Sequence, residues 1–357
     1  MVFVLISASV YAYGGHEQES YTNLDTQIEL LNILFESSLE NSQRIEAHGI
    51  IANDDSTNSI PNIVLIAAPQ TEDSTFLIAI DEKPTQETID FILNFTGIPA
   101  EKAEIVHLQS ESLEICYEII AEDDIYNGFH RSFFENSSEE DISGILEMLS
   151  EPNYFEPHQI TGGIVMMGQL AAVQNLGGGT SLTIGHPNNI SGSSFFTATH
   201  GAAPNGARVV SYVRPTGATT HQIGTIRRTN NRGNSDFTEV AVGGTVSQAS
   251  ARVPWGNHNI TNFRGTPSYN QPARSIRGRS GVTLSLVNRP NVRVIHGGVD
   301  FNNMILTYPN GNSQVGDSGT ALIATNGSQE IVLGTRRGVI GLDGRNFGIY
   351  SSVLNYN

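Results

Sequence analysis

Residues 164–357 predict an all-β domain, a barrel or sandwich, preceded by an α+β domain. Three observations carry this. First, the later part holds ten short β-favouring runs: 181–185, 194–199, 209–213, 223–227, 237–242, 282–287, 292–296, 304–308, 321–324 and 331–334. Turns rich in Gly, Asn, Ser and Thr separate them, and helical periodicity is nearly absent. Full closure of such a sheet would also remove its edges. Second, the earlier part alternates helical and strand-like stretches. Third, charge divides at the same place. Residues 1–161 hold 30 Asp and Glu against 4 Lys and Arg, net −26; residues 162–357 hold 6 against 15, net +9, which together give the chain's −17.

In chain order, Met1 to Gly15 is a short apolar run ending in small residues, the pattern of a signal peptide cut near Ala12 to Gly15. Over 26–40, Leu30, Leu31, Leu34 and Phe35 form a stripe at helical spacing. Runs 61–68 and 75–80 read as strands around an acidic turn. Thr85 to Phe95 reads as a helix, with Pro84 before it and Gly97 after. Strands follow at 103–108 and 113–120. Ser137 and Glu140 make a capping box ahead of Ile142, Ile145, Leu146 and Leu149. The segment around 151–163, with Pro152, Pro157, Gly162 and Gly163, is an extended, cleavable linker.

At 357 residues, two domains are the ordinary expectation. All 15 cations of the later half are arginine, and the opposite charges of the two halves suit mutual docking. The arginines are scattered, with no basic run longer than two and no nucleic-acid recognition motif, so nucleic acid is not the expected partner. No stretch beyond the N-terminus is apolar enough to span a bilayer. Cys116 is the only cysteine, so no internal disulfide can form, and it reads as a small core residue. Asn94, Asn136, Asn189, Asn259 and Asn326 each begin an Asn-x-Ser/Thr sequon, which fits a secreted protein. His48, His107 and His130 are scattered and read as structural rather than metal-binding.

The chemistry centres on Gly316-Asp317-Ser318-Gly319-Thr320. A serine between glycines, followed by an apolar run, is a sharp turn into a buried strand. Such a turn can aim the Gly316 and Ser318 amides at one point, where an oxyanion would form. A serine hydroxyl needs a base to become a nucleophile. Upstream, the run from Phe195 to Thr199 ends in His200 at a turn. Asp317 aside, the acidic residues between His200 and Ser318 are Asp236, Glu239 and Asp300. Asp236 opens an apolar strand, Glu239 shares that strand, and Asp300 lies only 18 residues before the serine. His200, Asp236 and Ser318 are therefore the candidates for a catalytic triad, with no metal or organic cofactor required.

With its order His, Asp, Ser, the chain resembles the chymotrypsin-fold serine peptidases, and in particular the α-lytic protease and streptogrisin branch. Gly177 to Gly185 looks like the glycine-led first strand of that branch, Arg279-Ser280-Gly281 is similar to a segment of α-lytic protease, and Ile164-Val165 is similar to a mature N-terminus. The resemblance covers residues 164–357. It implies an all-β two-barrel chymotrypsin-like catalytic domain, a signal peptide at 1–15, an acidic α+β pro-domain at 16–150 and a linker at 151–163. It also implies that Arg279 pairs with Asp317 to hold the oxyanion turn. The expected partners are a protein or peptide substrate and the chain's own pro-domain in cis, released by cleavage near Ile164; the expected location is extracellular.

Two departures, Thr199 before the histidine and Thr320 after Gly319, leave open an inactive homologue that binds rather than cleaves; an esterase is a third reading. Asn312 lies six residues before the serine, where trypsin-like enzymes carry the aspartate that binds Lys or Arg. The segment Thr335-Arg336-Arg337 reads either as a substrate-pocket wall able to pair with an acidic side chain, or as two solvent-facing arginines.

Overall fold

Each β-favouring run of 164–357 lies in or overlaps a strand of the structure, a computed structural model. It describes residues 23–48, 61–71, 74–112, 164–173, 180–189, 191–201, 203–213, 218–244, 248–250, 260–278, 281–310, 316–326 and 329–356. The 1–15 leader, the 113–120 strand with Cys116, His130, the helix ahead of Leu149, the 151–163 linker, Gly177 to Gly179, Arg279 and Asn312 lie outside the described residues.

The N-terminal part comprises α1 (Leu24–His48), β1 (Ile63–Ala67), β2 (Phe76–Ile80), α2 (Gln86–Thr96) and β3 (Ala103–Ser112). α2 starts where Thr85 accepts a bond from the Thr88 amide. It stops at Gly97, whose φ of 67° lets its amide reach the Leu93 carbonyl. The apolar stripe of α1 buries Leu31, Leu34 and Phe35 against Ile63, Ile78 and Ile92.

The first barrel is built from β4 (Ile164–Met166), β5 (Leu170–Val173), β6 (Thr180–Thr183), β7 (Ser194–Thr197), β8 (Arg208–Val213), β9 (Ala218–Arg232), β10 (Ser235–Val242) and β11 (Gln248–Ser250). Its six-stranded sheet runs β6-β5-β8-β9-β10-β7. It closes where residues just past β6 bond to β7: the Gly185 amide to the Phe196 carbonyl, and the Phe196 amide to the His186 carbonyl. β4 pairs in parallel with β11 beside it.

The second barrel follows, with β12 (Ile260–Asn262), β13 (Pro272–Arg277), β14 (Gly281–His296), β15 (Val299–Tyr308), β16 (Ala321–Asn326), β17 (Gln329–Leu342) and β18 (Arg345–Ser352). The ring β13-β14-β15-β18-β17-β16 returns to β13, so every strand has two neighbours. Aromatic residues fill the seam between the barrels. Tyr356, near the C-terminus, packs on Phe196 and Phe237 with ring centroids 4.9 and 4.5 Å away.

Runs 282–287 and 292–296, separate in the sequence, form one strand. β14 passes through Asn288, Arg289 and Pro290 with shifts in register, because a proline that cannot donate to the ladder is absorbed at a bulge. β17 likewise runs on through Arg336, Arg337 and Gly338.

The N-terminal strands do not form a separate sheet. β1 pairs with the end of β14 (Leu65 with Val294) and β3 pairs with the end of β17 (Ile340 with Glu111). The order β14-β1-β2-β3-β17-β18-β15 closes back on β14, a second ring that shares four strands with the barrel. Inside it lie Val64, Leu65, Leu77 and Val106 from one side and Val292, Phe301, Met304, Ile340 and Phe347 from the other, all buried. The opposite charges meet here: Arg293 with Glu36 (3.0 Å) and Arg345 with Glu104 (2.7 Å).

Candidate active site

Two barrels meeting at a seam bring together residues far apart in sequence. His200 follows β7 and Asp236 opens β10 in the first barrel. Ser318 sits in the turn before β16 of the second. His200 Nδ1 is 2.5 Å from Asp236 Oδ2, and His200 Nε2 is 2.9 Å from Ser318 Oγ. All three side chains are buried.

Local backbone sets each one. His200 has a φ of 52° and is followed by Gly201 at 75°, so the chain reverses just as the imidazole is presented. Asn231 holds this reversal by donating from Nδ2 to the His200 carbonyl (2.7 Å). Asp236 is anchored across the seam, its amide donating to Ser351 Oγ (2.9 Å). The nucleophile turn is pinned to the first barrel by Thr183, whose amide bonds to the Ser318 carbonyl (3.0 Å) and whose hydroxyl bonds to the Gly316 carbonyl (2.9 Å). Gly316 and Gly319 take φ of 100° and 90°, and a side chain at Gly319 would collide with Thr197 Oγ1 and the Thr183 carbonyl.

The rival acids are engaged elsewhere. Glu239 accepts from Arg228 Nε (2.6 Å) and Ser194 Oγ (2.7 Å), and Asp300 pairs with Arg293 (2.9 Å). The two departures are absorbed without touching the triad side chains. Thr199 shares a hydrogen bond with Thr238 (2.7 Å), and the Thr320 hydroxyl donates to the Asp317 carbonyl (2.7 Å). Asp317 is buried.

Thr335, Arg336 and Arg337 rule out the solvent-facing reading. None faces solvent: their exposures are 0%, 0% and 1%. Arg337 stands behind Asp236. Its Nη1 donates to Asp236 Oδ2 (2.5 Å) and to Asn231 Oδ1 (2.7 Å), its Nη2 to the His296 carbonyl (2.7 Å), and its Nε to His296 Nδ1 (3.1 Å). The guanidinium lies 4.2 Å from the Phe301 ring centroid. Strand alternation sends Arg336 the other way. It donates to Tyr350 Oη (2.9 Å) and Asn310 Oδ1 (2.8 Å), and Arg277 reaches the same Asn310 oxygen (3.0 Å). The Arg336 backbone bonds to Gly319 and Thr320, immediately after the serine.

Burial would raise the Asp236 carboxyl, but His200 and then Arg337 outweigh it and hold the group ionised below the usual carboxylate range. Burial would also raise the Tyr350 phenol, and the Arg336 and Arg277 charges overcome that and lower it. His296 is pushed down to about 3, first by burial and then by Arg337; it accepts at Nδ1 and donates from Nε2 to the Val339 carbonyl (3.0 Å), which makes it the neutral Nε2–H tautomer. Burial similarly lowers His186 to about 4.

Unfolded, such histidines take up a proton near pH 6.5; folded, they resist it. Stability is therefore complete above about pH 6.5 and falls as pH drops toward the folded values, by about 2–3 kcal/mol per histidine at pH 4.5. The lowered Asp236 acts in the same direction at lower pH. The expected result is a melting temperature lower by roughly 10 °C at pH 4.5 than at pH 7.5. Equal melting at both would contradict this account.

The structure brings His200, Asp236 and Ser318 together; the sequence reading did not single out Asn231, Thr183, His296, Arg277 and Asn310. Asn and Thr are frequent here and carry no motif, and their roles exist only through partners distant in the sequence. Among the described residues no group of His, Cys, Asp or Glu is arranged to hold a metal ion.

No known protein family profile matches the sequence, and no curated protein matches it. In structure, the chain is similar to chymotrypsin-fold serine proteases. One is a Cellulomonas bogoriensis chymotrypsin: 18% identity, 53% of this chain, 92% of that one, TM-score 0.40. Another is a glutamic-acid-specific serine protease described as using a histidine triad in substrate binding: 22% identity, 54% of this chain, 95% of that one, TM-score 0.42. A third is α-lytic protease homologue N4: 16% identity, 54% and 95% coverage, TM-score 0.41.

Proposed function

We propose that this chain is a serine endopeptidase working through an acyl-enzyme. The observation that supports it is the unbroken series of short contacts from Ser318 through His200 to Asp236. Ser318 Oγ attacks the peptide carbonyl carbon while His200 Nε2 takes its proton. The same nitrogen then protonates the departing amine. Water, deprotonated by His200, hydrolyses the ester. Asp236 holds the Nδ1–H tautomer and balances the imidazolium. The Gly316 and Ser318 amides receive the oxyanion. The carboxylate is itself oriented by Arg337, a positioning residue.

A fluorophosphonate probe tests this. It should form one adduct, mapped by peptide mass to Ser318, and it should not label heat-unfolded protein. Intact, folded protein that stays unlabelled, before and after cleavage in the linker, would favour the inactive, binding homologue.

The substrate class we propose is chain segments with Glu or Asp before the cut bond. Arg336 and Arg277, two guanidinium groups gathered beside the strand that follows the nucleophile, support this. Arg336→Met should cost acidic substrates at least tenfold in kcat/KM, about 1.4 kcal/mol, while leaving substrates with Leu at that position within a few-fold. Equal losses on both would remove the specificity role and leave the peptidase. We further propose that the chain is secreted and is cut in the linker, with residues 16–150 as its acidic N-terminal domain.

A further inference from the structure

The expectation from sequence is a pro-domain that leaves after cleavage. The second ring of the fold points elsewhere. We propose that residues 24–112 are a permanent part of the folded enzyme: when the chain is cut between 113 and 163, the two pieces remain together as a two-chain molecule.

Both edges of the N-terminal sheet are used. β1 is hydrogen-bonded to β14, and β3 to β17, so the unit is held at two separate strands rather than resting on one face. The core it closes is shared. Nine of its fifteen buried members belong to the later half: Val292, Val294, Phe301, Met304, Leu306, Ile340, Leu342, Phe347 and Ile349. Departure of the N-terminal piece would give these side chains to water and strip pairing from the ends of β14 and β17. Opposite charges seal the rim, with Arg293 on Glu36 and Arg345 and Arg289 on Glu104.

The ring also reaches the candidate site. Phe301, inside the shared core, lies under the Arg337 guanidinium, and His296, at the end of β14, receives two of its hydrogen bonds. Arg337 in turn bonds to Asp236. The N-terminal strands therefore support the wall against which the triad acid is set. The assembly claim stands whether or not the chain is a peptidase; only its effect on the site rests on that reading.

The test uses the full chain with a recognition site for a specific protease placed in the 151–163 segment, in Ser318→Ala protein so that no self-cleavage intervenes. After complete cutting, denaturing gels should show two chains. Size exclusion and native mass spectrometry should show one species at the summed mass. The pair should persist in about 1 M salt, where screening shortens charge interactions to about 3 Å but leaves an apolar core intact. A folded 164–357 piece eluting by itself, in low or high salt, would overturn the proposal. In protein keeping Ser318, ester hydrolysis should co-elute with the two-chain species. Hydrolysis found only in fractions lacking the N-terminal chain would also overturn it. Intact pairing without hydrolysis would sustain the assembly and count against the peptidase reading alone.

Discussion

Ser318→Ala is expected to lower kcat by about 10⁶-fold while leaving the protein folded, because Ser and His of a triad act as a unit and either loss removes nearly all of their joint effect. The substitution deletes one hydroxyl. Its bond to His200 Nε2 is lost, but the Gly316–Gly319 turn is held by backbone partners that alanine keeps: Thr183 on the Ser318 carbonyl and Arg336 on the Gly319 amide. The melting temperature should therefore move by no more than a few degrees. Single-turnover assays on a chromogenic peptide, with differential scanning calorimetry, check both halves. Retained activity near the parent's would remove Ser318 from the mechanism. A collapse in melting temperature would mean the hydroxyl is structural.

The second large effect is expected at Asp236. Asp236→Asn should cost about 10⁴-fold in kcat, since the amide favours the wrong imidazole tautomer and cannot balance an imidazolium. Here it should also cost stability. Arg337 is buried with its Nη1 on the same carboxylate oxygen that receives His200 Nδ1. Removing the negative charge leaves a guanidinium in the interior against a neutral amide. Breaking one side of a buried ion pair in this way costs about 3–5 kcal/mol. A second change distinguishes the two roles. Adding Arg337→Met to Asp236→Asn should recover much of the lost melting temperature and none of the lost activity. If Asp236→Asn melts like the parent, Arg337 is not held by that charge. If the double variant regains activity, the carboxylate is not the group that orients His200.

Much of this is legible in the order of the residues. The glycine–serine turn, the histidine ending an apolar run and the acid opening another are local patterns, and local patterns survive in one dimension. The short runs of the later half likewise announce their strands, because alternation and turn residues act over a few neighbours. What a linear reading misses are the features that need a partner. β13 carries Pro and Ser, and β18 carries Asn and Gly, which weaken any intrinsic preference for strand; both form because neighbours on both sides supply hydrogen bonds. Arg336 and Arg337 read equally well as solvent-facing. Only the folded interior provides the partners that make their burial tolerable: carbonyls and a tyrosine of the second barrel and the Asp236 carboxylate of the first.

The sequence by itself therefore determined the chemical inventory: a serine between glycines, a histidine and an acid that are candidates for one site, and two halves of opposite charge. Tertiary structure decided the rest. It set Asp236 against His200, while Glu239 and Asp300 pair with nearby arginines. It set Arg337 behind Asp236. It also merged the N-terminal strands with the second barrel, because strand edges and apolar faces find partners by shape and register, which no single stretch of chain encodes alone.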